Sequence, residues 1–274
     1  MKFFNRISRK VFGTTKVINA NISYLNPSKK LEGKKIVVTG GNKGLGYSMA
    51  KKFVEEGAVV LITGRDVLKL EQSSKEIGCE CMPLDLTSVE SFDTFLSESV
   101  RKIGGIDCLV NNAGISLHEE SFSEVTPKSF DLQISTNFRG SFFLTQKFVN
   151  LLIANNKAGV ILFISSETGE MADERPYGWT KAAINSMTQG LAFKLASKGF
   201  RINALAPGVT ASEMTKTSAD GNLYRYGNMM ERIYLPEEVA ETAAFLLSDA
   251  SGCINGQIIA CNNGKSINAR WKKI

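Results

Sequence analysis

The sequence predicts an α/β protein: one domain on a doubly wound parallel sheet of seven strands, with helices on both faces. Three observations predict it. From Lys35 onward, short apolar runs alternate with segments of helical period. The connections between them are short, as parallel crossovers allow. The first apolar run ends in a glycine-rich turn that opens a helix, TGGNKGLG (39–46).

The elements follow in order. KKIVVTGG (34–41) is a buried strand entering the glycine turn, LGYSMAKKFVEEG (45–57) has helical spacing and stops at Gly57, and AVVLITG (58–64) is the second strand. DVLKLEQSSKEIG (66–78) is helical, CECMPLDL (79–86) holds the third strand, and SVESFDTFLSESVRKIGG (88–105) is a longer helix. IDCLVNNAG (106–114) is a fourth strand running into a polar turn, a long helical stretch covers about 127–154, and VILFISS (160–166) is the fifth strand. The helix PYGWTKAAINSMTQGLAFKLASKG (176–199) leads to a sixth strand, FRINALAPG (200–208). The helix PEEVAETAAFLLS (236–248) leads to a seventh, GQIIACNNG (256–264). Continuous apolar strands mean a sheet covered on both faces, and such sheets bind ligands at the carboxyl ends of their strands.

Composition narrows the chemistry. The chain has 274 residues and 43% apolar content, enough for a full core, and no run reaches the roughly 18 apolar residues of a membrane span. Cys79, Cys81, Cys108, Cys253 and Cys261 are odd in number and form no CxxC pair, which points to reduced thiols and a cytoplasmic location. His118 is the only histidine, which argues against a Ser-His-Asp triad or a multi-histidine metal site; no metal is expected.

The net charge of +6 is carried by the ends. Residues 1–34 hold eight Lys/Arg and one acid, and 265–274 hold four Lys/Arg, whereas 35–264 hold 21 bases against 26 acids. A nucleic-acid protein would spread a basic stripe over its folded body, so no nucleic-acid partner is expected. The chain divides into a basic N-terminal extension (1–32), the sheet domain (33–264) and a basic C-terminal tail (265–274). The extension has no acid before Glu32, and KFFNRISRKVF (2–12) sets apolar residues at rough helical spacing among basic ones. Three readings fit residues 1–31: an arm on a neighbouring subunit, contact with an anionic membrane surface, or an organelle presequence. The first, in a cytoplasmic protein, is preferred.

Glycines at 40, 44 and 46 let the backbone turn sharply and approach a phosphate at the helix N-terminus. The spacing is G-x3-G-x-G rather than the more familiar G-x-G-x-x-G. The second strand ends in Gly64-Arg65-Asp66. An acid at that strand end would bind a ribose 2′-OH; an arginine pairs instead with a 2′-phosphate. Arg65, with Lys43 in the turn, favours NADP(H) over NAD(H). In PYGWTK (176–181), Tyr177 and Lys181 are four apart and share a helical face. A neighbouring ammonium is expected to lower the phenol's pKa and make it a workable acid or base. Ser165 and Ser166 close the preceding strand.

With these motifs in place the sequence resembles the short-chain dehydrogenase/reductase family in its classical form, over about 33–264. TGGNKGLG matches the cofactor turn, LDL (84–86) the adenine-contacting segment, NNAG (111–114) the fourth-strand motif and NFRGSF (137–142) the segment with the active-site asparagine. ISS (164–166) carries the serine, YGWTK (177–181) the YxxxK pair, and APGVTASEM (206–214) the segment after the sixth strand, with Ser212 where threonine is usual.

The resemblance implies a Rossmann-like fold and hydride transfer between a nicotinamide and a carbonyl or secondary alcohol. It assigns catalysis to Asn137, Ser166, Tyr177 and Lys181. Tyr177 exchanges the proton on oxygen, Ser166 hydrogen-bonds that oxygen, Lys181 binds ribose and tunes Tyr177, and Asn137 holds a relay water. It implies cofactor contacts at Gly40, Asn42, Lys43, Gly44, Leu45, Gly46 and Arg65. Further contacts fall on Asp85, Leu86, Asn112, Ala113, Gly114, Tyr177, Lys181, Pro207, Gly208 and Val209. It also implies a homodimer or homotetramer through the helices at 127–154 and 176–199. Two departures are the serine–tyrosine gap of 11 residues and the NNG (262–264) ending, where acid-Gly-Gly is frequent.

The substrate cover is expected at 209–235; Tyr224, Tyr226, Met229 and Met230 line an apolar pocket with Arg225 as an anion contact, or, equally, the segment is a partly packed lid with a solvated arginine. His118, Glu167, Met171 and Trp179 fall near the pocket by their position in the motifs. A 3-oxoacyl thioester is the default substrate; a sugar, polyol or other small alcohol is the alternative. A non-catalytic dinucleotide sensor on the same fold is a third reading.

Overall fold

The computed structural model describes residues 29–212, 214–215, 217 and 221–267. Residues 1–28, to which most of the extension's readings belong, and the tail from 268 lie outside the described residues. Seven strands form one parallel sheet: β1 (Lys35–Val38), β2 (Val59–Gly64), β3 (Glu80–Pro83), β4 (Cys108–Asn111), β5 (Val160–Ile164), β6 (Arg201–Pro207) and β7 (Ile258–Cys261). Their order is β3-β2-β1-β4-β5-β6-β7, and every neighbouring pair is parallel. The expected seven-stranded α/β fold is the one observed.

Among the described residues seven α-helices connect them: α1 (Gly44–Glu55), α2 (Val67–Ile77), α3 (Phe92–Ile103), α4 (Pro127–Gln133), α5 (Ser141–Ala154), α6 (Pro176–Leu195) and α7 (Pro236–Leu247). The period-2 alternation of each strand sorts its side chains between two cores. Ile36 and Val38 of β1 pack with Phe53 of α1, Leu70 of α2 and Val239 of α7. Val37 packs on the other face with Phe92 of α3, Phe148 of α5 and Ile184 of α6. Leu31, inside the sequence-defined extension, is fully buried in the first core. Among the described residues no helix is long and apolar enough to cross a membrane.

One element departs from the sequence reading. The stretch expected as one helix over 127–154 is α4, then a π-helical segment (Ile134–Gly140), then α5. A π-turn changes the helical phase without breaking apolar periodicity, so the pattern hides it.

The chain reverses its direction of strand addition between β1 and β4. This is the topological switch point, where the carboxyl ends of neighbouring strands open a crevice. The glycine turn leaves β1 there and the NNAG turn leaves β4.

Candidate functional site

The crevice is built around Thr39 and Asn112. Thr39 Oγ1 accepts from the backbone N–H groups of Asn112 and Ala113, both at 3.0 Å. Asn112 Nδ2 donates to the carbonyls of Thr39 (2.9 Å) and Gly40 (3.0 Å), which pins the two turns together. Gly40 takes φ +64, open to glycine at no steric cost. A Cβ on Gly46 would run into the Gly40 carbonyl and come within 2.5 Å of Asn112 Nδ2. The N-terminus of α1 then faces the crevice from an extended Lys43, with no side chain capping it. Uncapped N–H groups at a helix start, with the nearby backbone kept bare, fit a phosphate.

The end of β2 is shaped differently. The Asn42 side chain covers Gly64, and a Cβ there would lie 2.9 Å from Asn42 Oδ1. Asp66 is committed as the N-cap of α2, accepting from Lys69 N at 3.2 Å. Arg65 and Lys43 are exposed. Asp85 is also exposed, and its Oδ1 accepts from the N–H and hydroxyl of Thr87, both at 2.9 Å. Leu86 is buried, its side chain in the second core.

A polar cluster stands at the neighbouring end of β5. Asn137, in the π-helical segment, accepts from Ile115 N and donates to Ile115 O, both at 2.8 Å, and also donates to Thr180 Oγ1 at 3.3 Å. A Cβ on Gly114 would sit 3.3 Å from Asn137 Oδ1 and 3.6 Å from Lys181 Nζ, which places all three side by side. Lys181 Nζ donates to Ile164 O at 2.8 Å and lies 5.5 Å from the centre of the Tyr177 ring. Ser165 Oγ is committed to the Lys181 carbonyl at 3.2 Å. Ser166 Oγ instead accepts from the N–H and hydroxyl of Thr168, at 3.3 and 3.0 Å, and so caps the short 3₁₀ turn Glu167–Glu170. The structure thus brings Asn137, Ser166, Tyr177 and Lys181 to one place, beside the crevice holding the glycine turn.

The electrostatics correct one expectation. Tyr177 titrates above the ordinary phenol, not below it. Burial is the main cause and the Asp173 carboxylate adds to it, while the hydrogen bond with Ser166 opposes them. Burial also pushes Lys181 down to about 8. With its ammonium turned to the Ile164 carbonyl, Lys181 does not overcome the desolvation of the phenol.

Residues 40–266 match the family model described as Enoyl-(Acyl carrier protein) reductase. The chain belongs to the short-chain dehydrogenase/reductase family. It is 31% identical to the 3-oxoacyl-acyl-carrier-protein reductase of Aquifex aeolicus over 245 residues, covering 86% of this chain and 98% of that protein. It is also 31% identical to the L-fucose dehydrogenase of Bos taurus over 241 residues, covering 83% and 87%. The solved 3-ketoacyl-(acyl-carrier-protein) reductase of Brucella melitensis, complexed with NADH, superposes with a TM-score of 0.79 at 32% identity, covering 86% and 100%. The short-chain dehydrogenase/reductases are oxidoreductases of carbonyl or alcohol substrates and bind a nicotinamide cofactor.

In this dehydrogenase/reductase fold the segment after β6, expected as the substrate cover, is described over 208–212, 214–215, 217 and 221–235. It is anchored at its base: Tyr234 N donates to Val209 O and Ala211 N to Tyr234 O, each at 2.9 Å. Arg232 grips Glu238 of α7 through two bonds of 2.8 and 2.6 Å. Ala211, Leu223 and Ile233 make a small core of their own. Pro207 ends β6, and Gly208 N donates to Cys261 O at 3.0 Å.

The exposures in the cover's middle match a partly packed lid with a solvated arginine. Tyr226 is 78% exposed, Met230 55% and Met229 44%, Arg225 is exposed, and Tyr224 is only partly buried. His118 joins the two sides of the cleft, its Nε2 3.0 Å from Met214 O. Sequence reasoning missed Asp173 and Arg175. Arg175 bonds Asp173 Oδ1 through Nε at 3.1 Å and reaches Glu119 O at 3.3 Å, while Trp179 Nε1 donates to Asp173 O at 2.8 Å. No motif marks them; the position of Asp173 just before the YxxxK helix was the available signal.

Proposed function

We propose that this protein is an NADP(H)-dependent oxidoreductase that transfers hydride between the nicotinamide and a carbonyl or secondary alcohol. The observation that carries the reading is the convergence of Ser166, Tyr177, Lys181 and Asn137 at the end of β5, next to the uncapped start of α1. When bound, the nicotinamide supplies or accepts the hydride. Tyr177 donates its proton to the substrate oxygen in the reductive direction; burial raises its pKa against that role, and the Ser166 hydrogen bond lowers it. Ser166 Oγ hydrogen-bonds the same oxygen. Lys181 reaches the nicotinamide ribose and holds positive charge near Tyr177. Asn137, held by Ile115, keeps the loop after β4 against α6 and holds the relay water.

Gly40, Asn42, Gly44, Leu45 and Gly46 would hold the pyrophosphate. Asp85, Leu86, Asn112, Ala113, Gly114, Pro207, Gly208 and Val209 line the rest of the cofactor's path. The choice of NADP(H) rests on the end of β2. Asn42 occupies the space over Gly64, Asp66 is committed to a helix cap, and the Arg65 and Lys43 side chains are exposed. A 3-oxoacyl thioester is the favoured substrate, and a sugar or polyol is the second reading, favoured by the similarity to L-fucose dehydrogenase. We place the protein in the cytoplasm, as a homodimer or homotetramer. The apolar groove of about 340 Å³ between α5 and α6, lined by Phe138, Phe142, Met187 and Leu191 among others, supports assembly through those helices.

The test is a titration with NADPH and NADH followed by nicotinamide fluorescence, then a carbonyl screen with the tighter cofactor. The expected result is tighter NADPH binding, and a Tyr177→Phe loss of about 10²- to 10⁴-fold in kcat with cofactor binding kept. Preference for NADH would overturn the role of Arg65 and Lys43. Full turnover by Tyr177→Phe would overturn that of Tyr177.

A further inference from the structure

We propose that Lys265 is a positioning residue for Ser166, acting through Glu167, and that the turn Asn262–Ser266 is a strap holding the serine's loop in place. The inference rests on the assignment of Ser166 to the substrate oxygen. Ser166 follows β5 and caps the short turn Glu167–Glu170, whose middle packs on α6: Asn185 Nδ2 donates to Gly169 O at 3.0 Å, and Gly169 lies against the Lys181 backbone. The strap touches both ends of that turn. Lys265 Nζ meets Glu167 Oε1 at 2.6 Å, and Ser266 Oγ donates to Glu170 Oε2 at 2.7 Å. These partners are 98 and 96 residues apart in sequence, so only the folded chain brings them together.

The strap has a defined shape. Asn263 and Gly264 both take positive φ, +51 and +82, which turns the chain back after β7. Asn262, fully buried, ties the turn: Oδ1 accepts from Gly264 N at 3.1 Å, and Nδ2 donates to Ser266 Oγ at 3.0 Å. The NNG ending thus builds a turn that aims Lys265 and Ser266 at the serine loop. The Asn262 carbonyl also accepts from Tyr234 Oη at 2.9 Å, at the base of the cover. One turn therefore braces both the serine loop and the cover.

Glu167 makes the strap matter. Its side chain is 6% exposed, directly after Ser166, and its Oε2 is buried without a hydrogen-bond partner among the described residues. A carboxylate so placed depends on the ammonium at Oε1. Removing that ammonium leaves a buried charge that must find water, and the route to water displaces the turn that Ser166 caps.

The experiment uses the full-length protein and its Lys265→Met, Lys265→Arg and Glu167→Gln/Lys265→Met variants. Hydrogen exchange at 166–170 and steady-state reduction at saturating NADPH are measured on each. Lys265→Met is expected to exchange faster at 166–170 and to lose about tenfold to a hundredfold in kcat, since small misplacements cost that much. Lys265→Arg should restore both readouts, and the double variant should recover much of the loss by removing the stranded charge. Wild-type exchange and kcat in Lys265→Met, or a double variant as impaired as the single, would overturn the proposal. Should the wild type reduce no carbonyl at all, the oxidoreductase reading fails, and the exchange data still decide the strap.

Discussion

Replacing Lys181 with methionine separates what this lysine does for folding from what it does at the site. Lys181 is 5% exposed, and burial pushes its pKa from 10.5 to about 8. Between these values the unfolded chain binds more protons than the folded one, so the stability of the wild type rises with pH there. Below about pH 8 the fold carries the cost of a desolvated ammonium. At 1.36 kcal/mol per unit this cost is about 3 kcal/mol, an order-of-magnitude figure. A pKa shift is a net quantity, so this cost already includes the bond to the Ile164 carbonyl, and methionine removes both. Lys181→Met should therefore be as stable as the wild type at neutral pH or more stable, by at most about 3 kcal/mol. The pH slope is the sharper quantity. From pH 7 to about pH 9.5 the wild type should gain about 2 kcal/mol relative to Lys181→Met, as its lysine sheds the proton. Urea unfolding of both apo proteins at the two pH values measures this. A stability difference that stays constant with pH would refute the claim that Lys181 is a desolvated cation. Lys181→Met should lose activity at every pH.

Four other expectations follow from the geometry. Arg65→Glu should weaken NADPH by about 10- to 100-fold and NADH far less, the range of one or two charge-assisted hydrogen bonds; equal weakening of both in a fluorescence titration would count against a 2′-phosphate contact. Gly46→Ala should cost about 1–3 kcal/mol in urea unfolding and abolish cofactor binding, because its Cβ has nowhere to go between Gly40 O and Asn112. Asn137→Ala removes both bonds to Ile115 and should lower kcat by about 10-fold or more, with faster hydrogen exchange at 115; normal protection there would mean the loop is held by something else. Phe142→Asp places a charge in the groove between α5 and α6 and should shift the protein toward monomer on sizing chromatography.

Much of this molecule was legible because its strands are buried on both faces. IVV, VLI and VILFI read as strands without alternation, and each lies where the apolar run put it. The glycine turn and the YxxxK helix were legible because their chemistry is local: a few adjacent residues fix both shape and role. What stayed hidden was non-local or energetic. Nothing in ISTNFRG marks a π-turn, since one extra residue per turn preserves an apolar helix's appearance over so short a span. The sign of the Tyr177 shift depends on how much water the fold removes, which two residues at i and i+4 do not reveal. The pairing of Lys265 with Glu167 joins the last described turn to the middle of the chain. Tyr226, Met229 and Met230 suggest pocket residues by composition, yet they stay outside the small core of Ala211, Leu223 and Ile233 and are exposed.

The π-helical segment Ile134–Gly140 acts as a phase shifter between two surfaces. On its inner side it turns Asn137 toward Ile115; on its outer side it sets Phe138, with Phe142 one turn on, into the groove facing α6. Each residue of an α-helix advances the azimuth by about 100°, so deleting one residue here would rotate α5 against α4 by that amount. The proposed chemistry and the proposed assembly are therefore geared together through a single backbone irregularity. A length change in this stretch would be felt at both surfaces at once, whereas a point substitution on either side would disturb only one.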